Sequence, residues 1–141
     1  MYRILLEDIM FEHPIRVKES VSVGKVSHLL LRYRISGILV VKSKDDNKLV
    51  GIFTIADILR LINDELSKGG HRIKHLKEIS KLPVGKVANK KIVVLKTKDK
   101  VVKAIALMHK KDVQTIPVYE GKKLVGVVGR HDILNIALNY Y

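Results

Sequence analysis

Lys48-Leu-Val-Gly-Ile-Phe-Thr-Ile-Ala-Asp-Ile-Leu59 returns later in the chain as Lys123-Leu-Val-Gly-Val-Val-Gly-Arg-His-Asp-Ile-Leu134. Seven of the twelve positions are identical, at an offset of 75 residues. Self-similarity at a fixed period marks a duplicated structural unit. Working outward, Ser36-Gly-Ile-Leu-Val-Val41 matches Gln114-Thr-Ile-Pro-Val-Tyr119, and Ile15-Arg16-Val17 aligns with Ile92-Val93-Val94. The duplication divides the 141 residues into a first repeat at 1–66, a linker at 67–82 and a second repeat at 83–141. Copies of about 60 residues bury too little surface to be comfortable alone, so the two are expected to pack on each other.

Each copy reads as β-α-β-β-α. A short β-branched strand opens it (Ile15–Val17; Ile92–Leu95). An amphipathic helix follows, with Val23, Val26, Leu29, Leu30 and Tyr33 on one face in the first copy. In the second copy Val101, Ala104, Ile105 and Met108 form that face, and Asp99 is the expected N-cap. Two apolar strands come next, Gly37–Lys42 with Leu49–Phe53, and Thr115–Tyr119 with Leu124–Val128. The continuous apolar run Ile38–Val41 predicts a strand covered on both faces. A polar turn at 43–48 and a Gly-containing one at 120–123 join them. A closing helix runs from about Thr54 to Leu66, and from about Arg130 to Leu138. Gly69-Gly70 breaks the first, among charges that keep the stretch solvated.

Composition bounds the function. With 47% hydrophobic and 29% charged residues the chain has ample apolar surface for a core. No run approaches the roughly 18–20 apolar residues that span a bilayer. The start, Met1-Tyr2-Arg3-Ile4-Leu5-Leu6-Glu7-Asp8, meets charge too soon for a signal peptide, so a cytoplasmic location is expected. There is no cysteine, hence no disulfide, thiolate nucleophile or thiolate zinc site. The net charge of +13 favours anionic partners, nucleotides or nucleic acid among them.

The tandem β-α-β-β-α repeat resembles a pair of CBS domains (cystathionine β-synthase domains), a Bateman module. Carrying the likeness are the Gly-hydrophobic-x-Thr-x-x-Asp turn after the third strand and Asp8-Ile9-Met10 near the start. The resemblance covers the whole chain. It implies an α/β (α+β) fold in which two repeats pack through their sheets with pseudo-two-fold symmetry. It also implies clefts between them that bind adenosine-containing ligands, and a homodimer. The ligand would be AMP, ADP, ATP or S-adenosylmethionine, acting as a regulator and not as a catalytic cofactor, and an unknown regulated protein in trans would read its binding.

The same resemblance makes Asp57 an acceptor for ribose hydroxyls and Thr54 a phosphate or ribose contact. A carboxylate suits two hydroxyls, and a helix N-terminus suits phosphate. In the second copy Asp132 is retained, but Gly129 replaces the hydroxyl residue. Arg130 and His131 are then the candidates for the missing anion contact. Ile15, Val17, Gly37 and Ile38, with Val94, Thr115, Ile116 and Pro117, are the candidate adenine lining. Thr-x-x-Asp at a helix start is equally an ordinary capping box, and both roles can coexist.

No catalytic constellation is present: no nucleophile elbow, no Walker loop, no His-Glu-x-x-His. The chain is therefore expected not to be an enzyme. His71 and His75 lie four apart but beside Gly-Gly among cations, a setting that disfavours both a helix and a metal site. The alternative function is RNA or DNA binding on the same scaffold, supported by Lys68, Arg72, Lys74 and Lys77. Against it stands the scarcity of stacking platforms, with five Tyr, two Phe and no Trp.

Overall fold

The computed structural model describes residues 2–69 and 73–139. In chain order its strands are β1 (Phe11–Glu12), β2 (Arg16–Lys18), β3 (Gly37–Lys42), β4 (Asp45–Thr54), β5 (Leu95–Lys96), β6 (Thr115–Glu120) and β7 (Lys123–Gly129). Its helices are α1 (Val23–Tyr33), α2 (Ile55–Ser67), α3 (Ile73–Lys81), α4 (Val101–Lys111) and α5 (Arg130–Asn139). The chain divides into a continuous unit, Ile15–Lys91, and a discontinuous one made of Met1–Pro14 with Ile92–Tyr141.

In the continuous unit the sheet order is β2-β3-β4, with β2 and β3 parallel and β3 and β4 antiparallel. Parallel neighbours need a crossover, and α1 supplies it. Ser22 caps α1 by accepting from the Lys25 amide, and Arg34 ends it in the left-handed region. Val26 and Leu30, one turn apart, are fully buried with Phe53 and Val84 in one apolar cluster. Ile38, Leu39, Val40 and Val41 are each at most 1% exposed, so β3 is covered on both faces as its unbroken apolar run requires. The expected six-residue turn after β3 is tighter: Lys42 pairs with Asp45, and two register shifts in β3 absorb the difference.

The discontinuous unit repeats this plan, with sheet order β1-β7-β6-β5. Its core holds Leu6, Val101, Ala104, Ile116, Val118 and Val128, all fully buried. Lys100 is the N-cap of α4 and makes no side-chain cap bond. The expected cap, Asp99, instead turns back to accept from the Lys96 amide at 2.8 Å. The first strand of this copy is also shorter than expected, and it is shifted. Val17 pairs with Val40 and Leu95 with Val118, so Val17 corresponds to Leu95 and not to Val94. A slip of one residue moves a side chain to the other face of a strand. Accordingly Val17 and Leu95 are 8% and 4% exposed, whereas Val94 is 49% exposed.

The stretch read as linker carries α3. Leu76 and Ile79 are half-buried at helical spacing, and Ile79 packs on the core of the continuous unit. His75, placed by this helix, meets Glu65 of α2 with Nδ1 and Oε1 2.9 Å apart. His71 lies outside the described residues.

The turns that open the repeats are exchanged. Leu6–Asp8 forms a 3-10 turn whose Leu6 and Glu7 amides donate to the carbonyls of Asp99 and Thr97. Val84–Lys86 does the same with the carbonyls of Val21 and Glu19, at 2.8 and 2.9 Å. Each opening turn therefore belongs to the compact unit formed by the other repeat's strands. The exchange explains the two glycines shared by the repeats. A Cβ on Gly51 would lie 2.7 Å from the Asn89 carbonyl oxygen, and one on Gly126 would run into the Sδ and Cγ of Met10. At Gly51 the obstacle is backbone and only a residue without Cβ admits it, whereas at Gly126 it is a side chain that can give way.

Candidate functional site

In the continuous unit β4 ends at Thr54, opposite Gly37 on β3. The chain turns there into α2, and the Ile55 amide donates to the Ser36 carbonyl. Thr54 is the N-cap, extended at φ −123° and ψ 166°. Its hydroxyl accepts from the Asp57 amide at 3.2 Å and donates to Asp57 Oδ2 at 2.9 Å. The Thr54 amide also donates to Oδ2, at 2.8 Å. This is a complete capping box, with the carboxylate at the positive end of the helix. Asp57 is only 3% exposed. Its second oxygen, Oδ1, lies 3.0 Å from Arg60 Nη1. The carboxylate is thus held at both oxygens, as a buried charge must be.

The discontinuous unit holds a reduced version. Gly129, opposite Thr115, donates its amide to Asp132 Oδ2 at 2.7 Å. With no hydroxyl at Gly129, half of the box is missing, and Asp132 is half-buried where Asp57 is buried. Arg130 does not join Asp132. It lines a cavity of about 300 Å³ between α4 and α5, with Ile105, Met108, His109, Asp112 and Ile133. His131 is exposed.

Of the expected lining, Ile15, Gly37 and Thr115 are half-buried near their strand starts. Val17, Ile38 and Ile116 are buried in the cores of their own units, and Pro117 is buried within β6. Little or none of their surface is open to solvent. Arg60 escaped the sequence reading. Its signal was its place three residues after Asp57 on a helix, where side chains meet. The position matching it in the second copy is Asn135.

A CBS-domain family model matches residues 6–64 and again 84–139. The chain belongs to the CBS-domain family. The CBS pair is 29% identical over 153 aligned positions to the uncharacterized protein MJ1426 of Methanocaldococcus jannaschii, covering 93% of this chain and 89% of that one. It is 27% identical over 129 residues to MJ1404 of the same organism, covering 89% of this chain but only 30% of that relative's length. Among solved structures it is similar to CBSX2 in complex with AMP, with a TM-score of 0.77, 24% identity and coverage of 97% and 98%. It is similar also to the CBS-domain pair of MJ0100 in complex with 5′-methylthioadenosine and S-adenosyl-L-methionine. That pair gives a TM-score of 0.76, 22% identity and coverage of 97% and 98%. These identities speak for a shared fold, the mixed α+β architecture with two sheets described above. Among the described residues no His, Asp and Glu group could hold a metal ion, and no helix is long and apolar enough to cross a membrane.

Proposed function

We infer that the CBS pair is a regulatory, non-catalytic module that binds an adenosine-containing ligand, with Asp57 and Asp132 accepting the ribose hydroxyls. The observation that carries this reading is the repeated carboxylate at the start of α2 and of α5, each drawn to the strand end by a backbone amide. Two similar CBS pairs are solved with AMP, or with methylthioadenosine and S-adenosylmethionine, and so point to the ligand class. The +13 charge favours a phosphorylated member of it, such as AMP, ADP or ATP. Thr54 acts here by holding Asp57 in place. Ligand binding shifts the balance between conformations or assemblies, and a regulated protein in trans, meeting a cytoplasmic homodimer, reads the shift.

Calorimetric titration of the stripped protein with AMP, ADP, ATP and S-adenosylmethionine tests the reading. Binding of at least one is expected. Asp57→Ala and Asp132→Ala should each weaken their own site by about 1–3 kcal/mol, the scale of hydrogen bonds to a charged group. No binding by any of the four would leave Thr54 and Asp57 as a helix cap alone. RNA and DNA would then be the ligands to titrate, with steep salt dependence as the mark of phosphate contacts.

A further inference from the structure

The two carboxylates are not held alike, and the difference lies one helical turn further on. Asp57 has both oxygens engaged, Oδ2 by Thr54 and Oδ1 by the Arg60 guanidinium. Asp132 accepts from the Gly129 amide alone among the described residues, and Asn135 stands where Arg60 would be. The Arg60 side chain is 53% exposed while its partner carboxylate is buried, so the guanidinium caps the outer oxygen and keeps its other edge toward solvent.

The Asp57 side chain is only 5% exposed with the guanidinium over Oδ1, so a ribose that reaches this oxygen has to push the guanidinium aside. An uncharged ligand loosens the ion pair and gives the displaced cation no new partner. A ligand with a phosphate supplies a new one, and the planar fork of arginine suits two phosphate oxygens. At Asp132 no ion pair has to open, Arg130 lines the cavity between α4 and α5 and His131 is exposed, so the charge of the ligand matters less there.

We propose that Arg60 is a specificity-determining residue: it makes the Asp57 site select phosphorylated adenosine ligands, while the Asp132 site, with Asn135 in its place, takes adenosine ligands of any charge. The proposal rests on the adenosine-binding reading above and adds to it a division of labour between the two sites.

AMP and adenosine are the probes, because they differ only in the phosphate. The full chain is titrated with each as wild type, Arg60→Asn and Asn135→Arg, and the Asp57 site is identified as the one lost in Asp57→Ala. The wild-type Asp57 site should prefer AMP over adenosine by about tenfold or more, the worth of one charge-assisted hydrogen bond. Arg60→Asn should abolish that preference while adenosine still binds, and Asn135→Arg should create one at Asp132. Arg60 is half exposed, so the first variant leaves the core intact, and the second tests the idea by gain. An AMP-to-adenosine ratio that changes less than about twofold in Arg60→Asn overturns the proposal and leaves adenosine binding standing. A wild-type chain that binds neither probe overturns the adenosine-binding reading, and the proposal with it.

Discussion

Gly51→Ala and Gly126→Ala are the same substitution at equivalent places in the two repeats, yet they should differ in cost several-fold. At Gly51 the new Cβ would sit 2.7 Å from the Asn89 carbonyl oxygen and 3.0 Å from the Ala88 Cβ. The obstacle is backbone, and it is pinned: Ile52 and Asn89 exchange two amide–carbonyl bonds of 3.0 and 2.9 Å. Moving Asn89 away breaks or stretches both, at about 0.5–1.5 kcal/mol each. The forced repacking adds about 1–3 kcal/mol. The reduced freedom of the unfolded chain returns only about 0.4–1 kcal/mol. Mid-range values combine to a net loss of about 3 kcal/mol. At Gly126 the obstacle is the Met10 side chain, met at Sδ and at Cγ, with its Cβ at 3.3 Å needing only a small shift. An unbranched thioether can change rotamer for about 0.5–1.5 kcal/mol, so the loss there is about 0–1 kcal/mol. Urea unfolding and thermal melting of both variants beside wild type read the difference. For a chain of this length the melting temperatures should fall by about 6–12 °C for Gly51→Ala and no more than about 3 °C for Gly126→Ala. Equal losses, or the reverse order, would refute the argument that the crossing segments set the requirement for glycine.

Thr54→Ala removes the cap on the Asp57 amide and the hydroxyl that donates to Oδ2, and should cost about 1–2 kcal/mol of stability in the same assay. A change below about 0.3 kcal/mol would show that Arg60 and the Thr54 amide hold the carboxylate unaided. The hydrogen bond and charge of Lys18, 2.7 Å away, hold the Asp46 carboxyl below its ordinary value of 3.8, with Arg16 adding to the effect. A depressed carboxylate stabilises the fold above its ordinary pKa and loses that contribution as the pH falls through the folded value. A titration followed by NMR should therefore place the Asp46 midpoint below 3.8, and Lys18→Met should raise it. A midpoint unmoved by Lys18→Met would mean the pair does not persist in solution. Lys98 behaves in the opposite sense, raised above 10.5 by its hydrogen bond and charge pairing with Glu7. Its contribution is present below 10.5 and lost as the pH rises through the folded value, and Glu7→Gln should bring its midpoint back down.

Much of this protein was legible in the chain itself. The duplication at Lys48–Leu59 and Lys123–Leu134, the continuous apolar strand runs, the period-3.6 helix patterns, and the Thr54-x-x-Asp57 box all rest on residues near one another in sequence. Such residues act through local backbone geometry, so they report themselves without a fold. The family resemblance follows from the same local signals, repeated in order.

What lay outside the sequence reading is everything that one segment does to a distant one. The frame of β5, and with it the exposure of Val94, depends on pairing with β6. The helix at Ile73–Lys81 stays hidden among its charges until Ile79 meets a core. Arg60 becomes part of the site because Asp57 is buried with one oxygen left for it, and Asn135 matters only by comparison. Gly51 and Gly126 stand out in the repeat, yet their reason is the passage of Asn89 and Met10 above them. Apart from the local Arg60–Asp57 pair, these are choices made by long-range packing, where a contact forms only once the chain between has been ordered. The sequence by itself determined the elements and the motif; the tertiary structure decided which segments cross and which carboxylate is already engaged.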